Sequence, residues 1–158
     1  MDKKAEIVGF AGTRKGVSVR VLKKIFSVLQ GRLGRFEVIV GDCVGVDQQV
    51  YEFCKANGIP VRVVAVKNNW GKISYRPDPS DVIEYVSGES LKRRLAKRTV
   101  RLVEILSERK GVLIAILDEN SKGTKLAVET ARKLGVPVKI VKKKKKAPAR
   151  NRKVQKEV

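Results

Sequence analysis

Five short aliphatic runs, separated by stretches of helical periodicity, constrain this chain more than any other feature of it. The runs are AEIVGFA (5–11), FEVIV (36–40), VRVVAV (61–66), GVLIAIL (111–117) and VPVKIV (136–141). Each is short and apolar and all but the first are at least half Val, Ile or Leu, as expected of strands covered on both faces and hence of a parallel sheet. Between them, Leu22, Ile25, Phe26 and Leu29 recur at helical spacing, and Gly31 and Gly34 close that segment. Val46, Val50, Phe53 and Cys54 recur likewise before Asn57-Gly58. Leu91, Leu95, Thr99, Leu102 and Leu106 mark a long helix over 89–109, and a last helix runs from Thr124 to Leu134, before Gly135.

Strands alternating with helices call for right-handed crossovers onto one sheet. The expected fold is α/β, a Rossmann-like three-layer sandwich with a five-stranded parallel sheet in the order 3-2-1-4-5. It occupies one domain, 1–141, followed by a disordered Lys/Arg-rich tail over 142–158. In that order the first and fourth strands lie side by side and their connections leave in opposite directions, which opens a crevice at their carboxyl ends. KNNWGKISYRPDPSD (67–81) breaks the rhythm and reads as a long loop of the functional or mobile kind.

Charge narrows the classes of partner. The chain carries 36 Lys+Arg against 16 Asp+Glu, a net +20. Residues 142–158 hold nine basic residues and one acid, and residues 1–141 hold 27 and 15, so the folded part is itself +12. A field of that sign attracts nucleic acid or anionic ligands, although a solvated charged surface, as in a thermophile, has the same composition. There is no histidine, and Cys43 and Cys54 stand eleven residues apart, which removes Ser-His and Cys-His nucleophile pairs and zinc spacings. No leader pattern and no run of 18 apolar residues occurs. The expectation is a cytoplasmic protein with no membrane partner, no metal and no certain cofactor, its self-association left open.

Three glycine-bearing loops converge on the expected crevice. In Gly12-Thr13-Arg14-Lys15-Gly16 the glycines permit close backbone approach to an anion, while Thr13 and Arg14 supply a hydroxyl and a guanidinium. In Gly41-Asp42-Cys43-Val44-Gly45-Val46-Asp47, Asp47 falls in the first turn of a helix. It acts there either as a dipole-favoured acid or as a partner for a ribose or base. In the third loop, Lys122, Gly123 and Thr124 can hold a phosphate at a helix start, or Thr124 can serve simply as the N-cap. None of these satisfies a GxGxxG or Walker pattern. On the long helix Arg94, Lys97, Arg98 and Arg101 cluster beside the apolar stripe, with Arg98 nearest its edge. Trp70 and Tyr75, interleaved with Lys67, Lys72 and Arg76, have the composition of a base-stacking surface, or pin the loop to the core. Lys142, Lys143, Lys144, Lys145 and Lys146 offer nonspecific phosphate contacts.

GFAGTR after the first run, VIVGDCVGVDQQVYEFCKANGIPV across the second helix and SKGTKLAVETARKLGVPV near the end resemble the SLOG superfamily. That group includes DNA-processing protein A, the cytokinin-activating phosphoribohydrolases and the YspA-like nucleotide-binding proteins. The resemblance spans 5–141; Trp70-Gly71 and Arg98-Thr99 look like further elements of the YspA-like branch. It implies a nucleotide pocket lined by Thr13, Arg14, Gly41, Asp42, Asp47, Arg98, Gly123 and Thr124. The chain departs from the family where Asp42 replaces a glycine of GGAxGxD and Ser121-Lys122 replaces the glycine pair of GGxGT. Ala127 stands where the phosphoribohydrolases carry their catalytic glutamate, and Glu129 lies about 200° farther around the helix. Thr99 stands in the place of an asparagine.

These readings lead to one expectation: binding of a phosphorylated nucleotide or nucleic acid, single-stranded DNA among the candidates, at the strand ends, with the tail adding polyanion affinity. The alternatives are a phosphoribohydrolase-like enzyme and a nucleic-acid-associated scaffold with a vestigial pocket.

Overall fold

The aliphatic runs do become strands, and their side chains divide between two faces. A computed structural model describes residues 6–67, 73–118 and 121–142. In chain order the elements are β1 (Glu6–Gly12), α1 (Val19–Leu33), β2 (Phe36–Val40), α2 (Val46–Ala56) and β3 (Val61–Val66). A 3-10 turn (Pro79–Asp81), β4 (Val82–Val86), α3 (Leu91–Glu108), β5 (Val112–Leu117), α4 (Lys122–Leu134) and β6 (Val138–Lys142) follow. All strand pairs are parallel, so every strand–helix loop opens at the same sheet edge.

Successive strand residues point to opposite faces. Val8, Phe10, Val38, Val40, Val63 and Ile114 turn toward α1 and α2, whereas Ile7, Ile39, Val64 and Leu113 join a separate cluster with α3 and α4. The first cluster holds all four phenylalanines: Phe26 stacks on Phe53 at 4.4 Å, on Phe10 at 5.4 Å and on Phe36 at 6.2 Å. Truncating Phe26, 1% exposed, would cost about 3–5 kcal/mol through lost transfer energy and the cavity left behind. The second cluster is aliphatic. A Cβ on Gly9 would stand 2.5 Å from Leu106 Cδ1, so the glycine lets α3 approach β1.

The sheet departs from expectation in strand count and therefore in order. It has six strands, arranged β4-β3-β2-β1-β5-β6, because VIEYV (82–86) adds an edge strand beside β3. Its five residues alternate half-buried and exposed, as one-sided packing at an edge requires, so it lacks the apolar density that marks the inner strands. A register shift at Val63/Val64 accommodates it. Two boundaries move as well. Lys142 closes β6, opposite Leu117, rather than opening the tail, and α4 begins at Lys122. The remainder of the expected tail, 143–158, lies outside the described residues.

The described part of the expected long loop is tied down. Val44 N–H donates to the Ile73 carbonyl at 2.7 Å, Tyr75 N–H to that of Asp42 at 3.2 Å, and Cys43 bridges Ser74. The Tyr51 hydroxyl donates to Asp81 at 2.5 Å while accepting from the Asp78 N–H. Among the described residues no helix is long and apolar enough to cross a membrane.

Candidate functional site

At the carboxyl ends of β1, β2 and β5 lies a cavity of about 510 Å³, within the range of a small-molecule site. One wall is apolar, made by Leu95, Ala96 and Leu102 of α3 with Leu126 and Ala127 of α4. The opposite wall carries the loop residues Gly12, Thr13, Arg14, Lys15, Gly41, Cys43 and Asp47. Arg14, Lys15, Lys92 and Lys122 reach the cavity and are exposed, which gives its mouth a positive field.

Two loops that read alike in sequence are built differently. Around Gly41–Asp47 the protein supplies its own counter-charges. Arg98 Nη1 donates to Asp42 Oδ1 at 3.0 Å and to Cys43 Sγ at 2.9 Å, and Asp42 Oδ2 accepts from the Val66 N–H at 3.2 Å. Asp47 accepts a long 3.4 Å bond from the Cys43 N–H. Position 41 is tightly packed: a Cβ would stand 2.8 Å from Asp47 Oδ2 and 2.9 Å from Arg98 Nε, so either side chain would have to move to admit it. Gly45 holds φ +94°, and a Cβ there would overlap the Arg14 backbone.

Burial sets the titration of this corner. It pushes the Asp47 carboxyl up to about 6, with Arg98 and the Cys43 N–H opposing and Asp42 adding to the rise. Burial also raises the Cys43 thiol despite Arg98, so the thiol form is favoured over the reactive thiolate. Cys54, buried among the apolar residues of α2, is pushed up to about 12 and is a core residue.

The Asp118–Thr124 side has other chemistry. The Asp118 carboxylate receives the Thr13 hydroxyl at 2.5 Å on Oδ2 and the Ser121 hydroxyl at 2.6 Å on Oδ1, linking the β1 and β5 loops. Ser121 Oγ also accepts from the Asp118 N–H. Its hydroxyl is thereby drawn away from the helix it precedes, and α4 starts with no side-chain cap and no acid in its first turn. By contrast, Ser18 and Ser90 cap α1 and α3 by accepting from Val21 and Arg93. Among the described residues Gly123 meets nothing within 4 Å of a notional Cβ, so their packing does not require glycine there.

The cavity thus collects Gly12, Thr13, Arg14, Gly41, Asp47, Arg98, Lys122, Gly123 and Thr124, nine of the ten residues expected at the crevice. Asp42 lies behind the wall, 2% exposed, held by Arg98. Asp118 and Ser121 of the third loop join them, as do Lys92, Leu95 and Leu126, which the sequence pattern does not mark as site residues. The two leucines carry the signal of a core stripe, which is also the signal of an apolar cavity wall. Ala127 is buried in the wall and Glu129 is exposed, so neither places a carboxylate there.

The expected nucleic-acid contacts are dispersed. Arg101 is taken up by Glu84, donating from Nε at 2.9 and 3.0 Å, and by Glu108 at 3.2 Å. Arg94 and Lys97 donate to the Gly88 and Ser87 carbonyls. Tyr75 donates its hydroxyl to the Gly41 carbonyl at 2.8 Å and its ring lies 5.1 Å from that of Tyr51. Burial, then the Asp47 and Asp42 charges, drive its pKa upward. Lys67, Arg76 and Lys142 are exposed. Trp70, Lys72 and Lys143–Lys146 lie outside the described residues.

Among the described residues no cluster of three or more His, Cys, Asp or Glu is placed to hold a metal ion. Comparison with protein-family models, with curated proteins and with solved structures finds no match to this chain.

Proposed function

We propose that the cavity binds a nucleotide through its phosphate, with the phosphate at the N-terminus of α4 and the base against Leu95, Leu102 and Leu126. The observation that carries this reading is the start of α4. Its cap residue is engaged by Asp118, its first turn holds Lys122 and Gly123 and no acid, and it opens on the cavity. The outward-facing N–H groups of a helix start and the helix dipole favour an anion at such a terminus. Lys15, Lys92 and Arg14 add to the positive field at the mouth. The SLOG-like motifs point to the same crevice, and the lysines after Val141 would add sequence-independent affinity for polyanions. Binding is favoured over hydrolysis because Ala127 contributes no acid.

Calorimetric titration with the four common nucleoside monophosphates, their nucleosides and inorganic phosphate tests the reading. At least one monophosphate should bind, and should bind at least about tenfold more tightly than its nucleoside, about 1.4 kcal/mol. Equal affinity for nucleoside and nucleotide, or no binding by any member of the series, would refute it.

A further inference from the structure

Positive charge is distributed unevenly over the folded domain. Residues 37–118 hold 13 basic and 11 acidic residues, whereas 13–35 hold seven basic residues and no acid. Every ion pair among the described residues joins partners within 37–109. Among the described residues the cations of α1 therefore have no ion-pair partner.

Their placement follows the helix. Leu22, Phe26 and Leu29 are the buried stripe of α1. At 100° per residue, Arg20, Lys24, Ser27 and Gly31 fall on the opposite side and Lys23 on its flank, and all five are exposed. Arg32 and Arg35, also exposed, stand at the far end. Gly31 is a second, independent feature of this face. Its φ is not positive and a Cβ would meet nothing within 4 Å, so neither backbone geometry nor internal packing calls for glycine in the body of a helix. Ser27 and Gly31 leave the helix backbone open to close approach between the two groups of cations.

We propose that this outer face of α1 docks the phosphate backbone of a nucleic-acid duplex, independently of what the cavity holds. The 15 residues of α1 give a rod about 22 Å long. That length bridges the backbones on either side of a groove about 12 Å wide, Arg20, Lys23 and Lys24 meeting one strand and Arg32 and Arg35 the other. The face carries no aromatic side chain on which to stack separated bases, which favours a duplex over a single strand. A lipid surface is disfavoured because the apolar stripe of α1, Leu22, Phe26 and Leu29, is spent in the core and leaves only Val19 and Val28 exposed, whereas interfacial helices bury such a stripe in the membrane. Contacts limited to phosphates make the binding sequence-independent and steeply salt-dependent.

The test is fluorescence anisotropy of the full chain with a mixed-sequence DNA duplex of about 20 base pairs, over about 50 to 200 mM salt. Arg20→Gln/Lys23→Gln/Lys24→Gln should lower affinity at least about tenfold at low salt. It should also reduce the log–log salt slope by about 2.7, roughly 0.9 for each phosphate no longer neutralised. Arg62→Gln/Arg93→Gln/Lys110→Gln removes the same charge from exposed positions elsewhere and should leave most of the affinity and slope in place. An equal fall in that control would overturn the assignment, since it would mean a diffuse field. So would a preference for single strands, or capture of phosphatidylserine vesicles in place of the duplex. Nucleoside monophosphate titration of the α1 variant separates the two sites. Duplex binding that depends on α1 in a chain that binds no mononucleotide would sink the cavity reading alone.

Discussion

The loops Gly41–Asp47 and Asp118–Thr124 both join a strand to a helix at one sheet edge, and both carry glycine and polar residues suited to an anion. The first has been filled from within. Asp42 and Asp47 occupy its acidic positions, Arg98 is held between them and Cys43, and its glycines are closely packed by protein atoms. The second turns its carboxylate onto two hydroxyls and leaves the start of α4 with a lysine and, among the described residues, an unpacked glycine. A closed charge cluster contributes to stability and to the shape of the cavity; an open helix end is available to a ligand. The two loops therefore predict opposite consequences of mutation.

The largest effect should come from the closed loop. Arg98→Leu strips the buried Asp42 and Asp47 of their shared guanidinium. Removing one partner from a buried ion pair costs about 3–5 kcal/mol, and a large drop in the urea midpoint is expected. A decrease under about 1 kcal/mol would mean that water reaches this corner and that the loop is less closed than its hydrogen bonds imply.

Next comes pH. The Asp47 carboxyl is raised to about 6 by burial, from an ordinary 3.8. Between those values the folded state binds more protons than the unfolded state, so stability falls as pH rises from about 4 through about 6 and then levels off. The fall attributable to this group is on the order of 1–3 kcal/mol. Asp47→Asn should flatten that part of the stability–pH curve, as read from urea midpoints at stepped pH, and an unchanged slope would remove Asp47 as its source.

The smallest change sharpens the contrast from the open side. Gly123→Ala meets no atom of the described residues and places a better helix former in α4, so stability should rise by about 0.5–1 kcal/mol. Nucleotide affinity should fall nonetheless, because the added methyl group narrows the approach to the helix amides. A rise in both would show that the ligand does not come near this turn.

How much of the molecule is legible in its sequence depends on the kind of signal. The inner strands announce themselves by aliphatic density, and the placement of Arg98 beside the crevice follows from helical spacing alone. β4 does not, because one-sided burial at a sheet edge leaves only Val82, Glu84 and Val86 half-buried in a five-residue run. Nor does a sequence tell whether Asp42 and Arg98, 56 residues apart, are each other's partners or a ligand's; only the fold brings them within 3.0 Å. Tyr75 is a similar case. An aromatic among cations suggests base stacking, yet its hydroxyl is spent on the Gly41 carbonyl and its ring on Tyr51.

That α4, and not α2, receives the phosphate is tested most directly at Lys122. Full-length protein and Lys122→Glu should be titrated calorimetrically with whichever nucleoside monophosphate binds best, and both should be unfolded in urea. Lys122 is exposed at the first position of α4 and in the cavity wall, so stability should not fall and should rise by no more than about 1 kcal/mol, since a helix start favours an acid. Affinity should weaken at least about tenfold, 1.4 kcal/mol. Unchanged affinity in a normally folded Lys122→Glu protein would contradict the placement of the phosphate at α4.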